Sequence, residues 1–251
     1  MPIHRTFETS TRRRQISLEG AWELKPDPDD RGLSDDWPLR FPADAKPTWV
    51  PGVWNTHHDL QDYEGVVWYR RRVTLSACSA AILHFAAVTH QANVWLDGEP
   101  LGDHYGGFLP FSFIIGRPRA GEHELVVRVD NTPDMTSTIP SSALDMFRYG
   151  GIFRPVWVEE LEHPGHVASL RLTPVVVNEV PTLRVRAELV NLSDDIIQDE
   201  WRLVVDGSLL RTERCRIRPH DVEVLLFAVD LPGAALWTPT APRLHGVRLE
   251  F

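Results

Sequence analysis

Apolar and polar positions alternate with a period of two along most of the chain, and windows of helical period are scarce. In HELVVRVDN, Leu125, Val127 and Val129 alternate with Glu124, Val126 and Arg128. TLRVRAELVN sets Leu183, Val185, Ala187 and Leu189 against Arg184, Arg186 and Glu188. DVEVLLFAV repeats the pattern with Val222, Val224, Leu226 and Ala228 as its apolar set. Side chains on a strand point alternately to opposite faces, so each run predicts a strand with one face on a core. Asp97-Gly98 and Asp206-Gly207 each follow a strand-like run, and Asp-Gly readily takes the positive φ angles of a tight hairpin turn. Short strands separated by turn residues predict an all-β protein built of sandwiches.

A break is expected near His163-Pro164-Gly165. GIFRPVWVEEL reads as a closing strand before it, and VASLRLTPVVV opens a new series after it. Pro-Gly between strands marks a junction, which divides the chain into residues 1–163 and 164–251. The first part carries Pro- and Asp-rich loops around residues 25–48. The second, about ninety residues with about seven strands, has the size of an immunoglobulin-like sandwich but lacks the Cys…Trp…Cys pattern of antibody domains.

Composition narrows the function. Hydrophobic residues at 43% and charged residues at 24% are ordinary for a globular chain. A net charge of −9 argues against nucleic acid as a partner, because phosphate contacts need a basic face. No apolar run approaches the ~20 residues of a membrane span. The N-terminal stretch has basic residues without an apolar segment, so a soluble, cytoplasmic protein is expected. Cys78 and Cys215 are too few for a disulfide framework and read as idle thiols.

Candidate chemistry is sparse. Neither Gly-x-Ser-x-Gly nor a phosphate loop is present, and the eleven histidines include no metal-binding spacing, so neither a metal nor a cofactor is expected. Hydrolysis of a glycoside needs a pair of positioned carboxylates. Asn178-Glu179 reads as a turn between strands, while Glu159-Glu160 and Asp29-Asp30 read as solvated, leaving no catalytic pair. Nine tryptophans is a high count. Trp22, Trp68, Trp95 and Trp157 lie in strand-like runs and are expected in cores. Trp37, Trp49 and Trp54 lie in loop-like sequence, where exposed indoles could stack on sugar rings.

The stretch Asp145-Met146-Phe147-Arg148-Tyr149-Gly150-Gly151-Ile152-Phe153-Arg154 resembles the Asp-x-x-x-x-x-Gly-Ile-x-Arg signature of glycoside hydrolase family 2, which includes β-galactosidases and β-glucuronidases. LEGAWEL, VPGVWN, YEGVVWYRRRV, VTHQANVWLDGEPLGDHYGGFLPFSF, VRVDNTP and LWTPTAPRLHGVRLEF are similar to other family segments, in the family's order. The resemblance implies a galactose-binding-like jelly-roll sandwich followed by an immunoglobulin-like sandwich. In the family a third domain, an α/β barrel, carries both catalytic glutamates, and this chain stops before it. One role carries over: Asp145 matches the aspartate that reaches the sugar hydroxyls at the barrel's active site, whereas Asn55 receives none. The implied function is a non-catalytic N-terminal portion that braces the barrel and meets a β-glycoside through the full-length enzyme. A stand-alone carbohydrate-binding module using the loop tryptophans is the alternative. Phe251 follows VRLE without a polar tail. Such an ending reads as a boundary chosen by an experimenter within a longer protein, in preference to the alternative of a frameshifted gene.

Overall fold

The computed structural model describes residues 13–132 and 148–251. The chain forms two compact units, one ending at Glu162 and the other spanning His163–Phe251. Ten strands build the first: β1 (Arg13–Ser17), β2 (Gly20–Asp27), β3 (Lys46–Val50), β4 (Val66–Leu75), β5 (Ala80–Phe85), β6 (Gln91–Leu96), β7 (Glu99–Tyr105), β8 (Phe111–Ile115), β9 (Gly121–Asp130) and β10 (Val156–Leu161). They form a six-stranded sheet, β3-β2-β4-β9-β6-β7, and a four-stranded sheet, β1-β10-β5-β8. All pairings are antiparallel. Trp22, Leu24, Tyr69, Leu83, Val127 and Val158 belong to the buried cluster that the alternating faces of both sheets create. This is the jelly-roll sandwich.

Of the four strand tryptophans three are buried, each in a different setting, and Trp95 is partly buried. Trp22 joins the inter-sheet core and donates its indole N–H to the Leu18 carbonyl at 2.7 Å. Trp68 belongs instead to a separate cluster with Phe41, Val66 and Val126. There Trp95 stacks on it at 5.3 Å and Trp37 meets it edge-on at 5.7 Å. Asp27, only 4% exposed, secures the loop after β2. Its carboxylate accepts hydrogen bonds from the N–H groups of Arg31 and Gly32 and from the Trp68 indole, at 2.8–2.9 Å. Trp157 is buried against His84, with ring centroids 4.8 Å apart.

Glu159 and Glu160, expected in solvent, are both buried. Strand β10 is internal to its sheet, so side chains of β1 and β5 flank both carboxylates: Gln15 and Ile82 beside Glu159, Arg14 and Ala81 beside Glu160. Gln15 donates to Glu159 at 2.8 Å, and Arg13 and His84 each lie 3.5 Å from its carboxylate. Glu160 pairs with Arg14 at 3.3 Å and accepts the Ser76 N–H. Burial acts to raise the Glu159 carboxyl, but His84, Gln15 and Arg13 outweigh it and hold the group down at about 2.

The second unit contains β11 (Gly165–Val177), β12 (Val180–Asn191), β13 (Ile197–Val205), β14 (Ser208–Ile217), β15 (Val222–Asp230) and β16 (Val247–Glu250). Sheets β11-β12-β15 and β14-β13-β16 enclose Leu183, Val185, Leu189, Trp201 and Leu203, giving the immunoglobulin-like sandwich. Its described strands number six rather than about seven, because the segment from Leu231 to Gly246, with Pro232, Pro239 and Pro242, runs as a loop. Asn178 and Glu179 form the two-residue turn between β11 and β12, with φ of 49° and 65°. Asp97-Gly98 and Asp206-Gly207 likewise turn β6 into β7 and β13 into β14, all four residues having positive φ. Strand β15 reverses the expected facing. Leu225, Phe227 and Val229 pack on the core, whereas Val224 and Leu226 are 45% and 71% exposed. The strand is apolar on both faces, and core packing selects the side bearing Phe227, which stacks on Trp201 at 5.0 Å. No helix among the described residues is long and apolar enough to cross a membrane.

Asp27→Ala leaves three donors without their acceptor and is expected to cost about 3 kcal/mol. That corresponds to roughly 6–12 °C of melting temperature, measurable by calorimetry, with Asp27→Asn losing less. Glu159 titrates lower folded than unfolded, so its stabilisation is present above the unfolded value of 4.5 and fades as pH falls toward 2. Melting temperatures between pH 5 and 2.5 should fall less steeply in Glu159→Gln than in the parent chain.

Candidate functional site

The crossover from β9 to β10 leaves one sheet of the first unit and enters the other. Asp145, the residue singled out by resemblance, belongs to this crossover but lies outside the described residues. Both roots of the crossover are described, and buried groups hold them. Asn131, 2% exposed, follows β9. Its amide oxygen accepts the Gly65 N–H at 2.8 Å, and its amide nitrogen donates to the Arg148 carbonyl at 2.8 Å. One side chain thus ties the outgoing root to the returning one.

Asn55 performs the matching task on the return side. Its oxygen accepts the Gly150 N–H at 3.0 Å, while its nitrogen faces the carbonyls of Leu60, Gln61 and Tyr63 at 3.1–3.3 Å. Short 3-10 turns at Trp54–Thr56 and His58–Leu60 bring those carbonyls together. Backbone bonds extend the clamp: Trp54 N–H to the Gly150 carbonyl, Gly52 N–H to Ile152, and Thr89 N–H to Gly151, each 2.9 Å. The two glycines are sterically required. A Cβ at Gly150 would lie 1.9 Å from the Trp54 ring. One at Gly151, where φ is +142°, would lie 2.5 Å from the Gly52 carbonyl oxygen.

Trp54 is therefore a fully buried wall of this frame, with its indole N–H donated to the Tyr63 carbonyl at 3.0 Å, and not an exposed loop indole. The other two loop tryptophans differ again. Trp37 is half-buried against Trp68, and Trp49, within β3, is 69% exposed. Around the roots, Arg148 lies 3.8 Å from Glu64, and the ring of Tyr149 is exposed. Phe108, also exposed, meets Phe153 edge-on at 6.0 Å. The root carboxylates already have partners. Glu64 faces Arg148, and Asp130 pairs with Arg128 at 3.2 Å and accepts the Thr132 N–H at 2.8 Å. The frame is chemically a holder. It fixes where a loop starts and ends, and offers aromatic surface and one arginine beside it.

Sequence reasoning quoted VPGVWN, VRVDN and the Gly-Gly pair yet assigned nothing to Asn55, Asn131 or Gly150. The available signal was an asparagine closing each segment, Asn55 after Val53-Trp54 and Asn131 after Val129-Asp130. Its meaning required knowing that the segments meet in space.

Comparison with known proteins agrees with this architecture. Residues 16–162 match the family described as "Glycosyl hydrolases family 2, sugar binding domain". A β-glucuronidase of Streptococcus agalactiae is 29% identical over 271 residues, covering 95% of this chain and 41% of that protein. A β-galactosidase of Thermoanaerobacter pseudethanolicus is 32% identical over 217 residues, covering 78% of this chain and 27% of that protein. The crystal structure of a family 2 β-galacturonidase from Eisenbergiella tayi, bound to galacturonate, superposes with a TM-score of 0.79 at 25% identity, covering 98% of this chain and 42% of that one. The chain thus spans well under half the length of these relatives. With the sugar binding domain matched across most of its first unit, this chain belongs to glycosyl hydrolase family 2.

Proposed function

We propose that the chain is the non-catalytic, two-domain N-terminal portion of a β-glucuronidase- or β-galactosidase-like enzyme, with domains at residues 1–163 and 164–251. In this reading it braces a catalytic barrel and supplies Asp145 to the pocket that receives the terminal sugar of a β-glycoside. The observation that carries the reading is the clamp on the Asp145 crossover: Asn131 and Asn55 anchor its two roots to a rigid sandwich. A loop fixed at both roots can deliver a carboxylate to a sugar hydroxyl at a repeatable position, and such positioning contributes to rate. The second unit supports the bracing role. Leu236, Trp237 and Leu244 in its long loop are 56%, 58% and 88% exposed, an apolar surface suited to contact with a further domain. Free Cys78 and Cys215 fit a reducing compartment, and a cytoplasmic setting is part of the reading. The chemistry itself, protonation of the leaving oxygen and attack at the anomeric carbon, belongs to a carboxylate pair in the barrel.

Two outcomes follow. The purified 251-residue chain should not release nitrophenol from nitrophenyl β-glucuronide or β-galactoside above the buffer rate; enzyme-dependent turnover would overturn the assignment of catalysis to the barrel. In the full-length enzyme, Asp145→Ala should lower kcat/KM about 10–100-fold, the equivalent of one charge-assisted hydrogen bond, while leaving the melting temperature of the 251-residue chain within about 2 °C. Gly150→Ala should depress both, because it displaces Trp54 and the clamp together. Unchanged kcat/KM in Asp145→Ala would remove the aspartate from the sugar pocket.

A further inference from the structure

The outward face of sheet β11-β12-β15 has a charge arrangement that its own stability does not favour. Cross-strand registers place its residues in rows: Ser169, Glu188 and Val224; then Arg171, Arg186 and Leu226; then Thr173, Arg184 and Ala228. Arg171 and Arg186 are thus directly opposed, and like charges facing each other across a sheet are destabilising. Arg184 follows two residues before Arg186 on the same face, at the ~6.6 Å spacing of alternate strand residues. Glu188 pairs with Arg186 at 2.7 Å. Arg171 and Arg184 are exposed and have no ion pair among the described residues. Three guanidinium groups therefore share one carboxylate, on a chain whose net charge is −9.

The same residues line a concavity of about 290 Å³, formed by Arg171, Thr173, Arg184, Arg186, Leu226 and Ala228. Its size is near the lower end of small-molecule sites, roughly 300–1,000 Å³. The arginine forks match carboxylates bidentately, and the Thr173 hydroxyl adds a donor and acceptor. Leu226 and Ala228 give one wall an apolar strip against which the C–H face of a sugar ring can lie. Leu226, 71% exposed, lies in the same cross-strand row as Arg171 and Arg186.

We propose that this face is a binding site for a carboxylate-bearing oligosaccharide, with Arg171 and Arg184 gripping uronate carboxylates and Leu226 flooring the ring. The choice of a glycan carboxylate over another anion rests on the glycosidase reading above. The site is separate from the Asp145 crossover in sequence and in structural unit. It would hold an acidic polymer to the enzyme while another part is cleaved.

The test is a calorimetric titration of the 251-residue chain in 50 mM salt with three probes: tetragalacturonate, its fully methyl-esterified form, and inorganic phosphate. Tetragalacturonate should saturate with a Kd on the order of 0.1–1 mM, the range open to two or three exposed charge-assisted bonds. Binding should weaken at least tenfold in 500 mM salt, where screening is strong. Arg171→Thr and Arg184→Thr should each weaken it at least tenfold. Arg216→Thr, which removes the same charge from the opposite sheet, should leave it unchanged. Arg171→Thr should also melt at or above the parent temperature, because it relieves the opposed pair; a structural arginine would lower it. Equal binding of the methyl ester, competition by phosphate at equal concentration, or no saturation with tetragalacturonate would each overturn the proposal. The readout is binding by this chain and not hydrolysis, so it stands or falls separately from the Asp145 test.

Discussion

Burying the two roots of a crossover between sheets strips water from peptide groups that must then find other partners. In the first sandwich, two asparagine side chains meet that requirement where β9 passes to β10. An amide carries both an acceptor and a donor, so a single buried Asn can satisfy groups on two chain segments simultaneously. Asn131 joins Gly65 to Arg148, and Asn55 joins Gly150 to the turn at Leu60–Tyr63. An aspartate could accept at both places but could not donate. Trp54, the two 3-10 turns and the two close-packed glycines surround these amides: Gly150 lies against the Trp54 ring and Gly151 against the Gly52 carbonyl.

Much of the architecture was legible because a sandwich writes its period directly into the chain. The strand around Leu183–Leu189 alternates cleanly, and Asp-Gly turns have few competing conformations, whereas β9 is buried on both faces from Leu125 to Val129, its second face joining the Trp68 cluster through Val126. What failed to be legible depended on neighbours. The alternation in β15 is apolar on both faces, so the pattern gave no basis for choosing Phe227 over Leu226 as the core residue. Glu159 and Glu160 look like any acidic strand end, and only pairing on both sides of β10 buries them. The tryptophans show the same limit: one loop-like indole, Trp54, is wholly enclosed, while Trp49, on a strand, faces solvent.

For the candidate site, resemblance supplied one residue, Asp145, and structure supplied the apparatus around it. The arginines of β11 and β12 are a comparable case. In the sequence, Arg184 and Arg186 are simply the polar half of a strand, and Arg171 is a lone charge in the preceding run. Their conflict exists only after the Asn178-Glu179 turn sets the register that brings Arg171 opposite Arg186. A two-residue turn thus determines the electrostatics of a surface some seven residues away on either strand.

The clamp at the crossover has a further property. On the returning side it engages main-chain atoms of Arg148, Gly150, Gly151 and Ile152, through the side chains of Asn131 and Asn55 and the backbone N–H groups of Gly52, Trp54 and Thr89. The frame's hold on the returning root is therefore indifferent to the side chain at Arg148, whereas at Gly150 and Gly151 it leaves no room for a side chain at all.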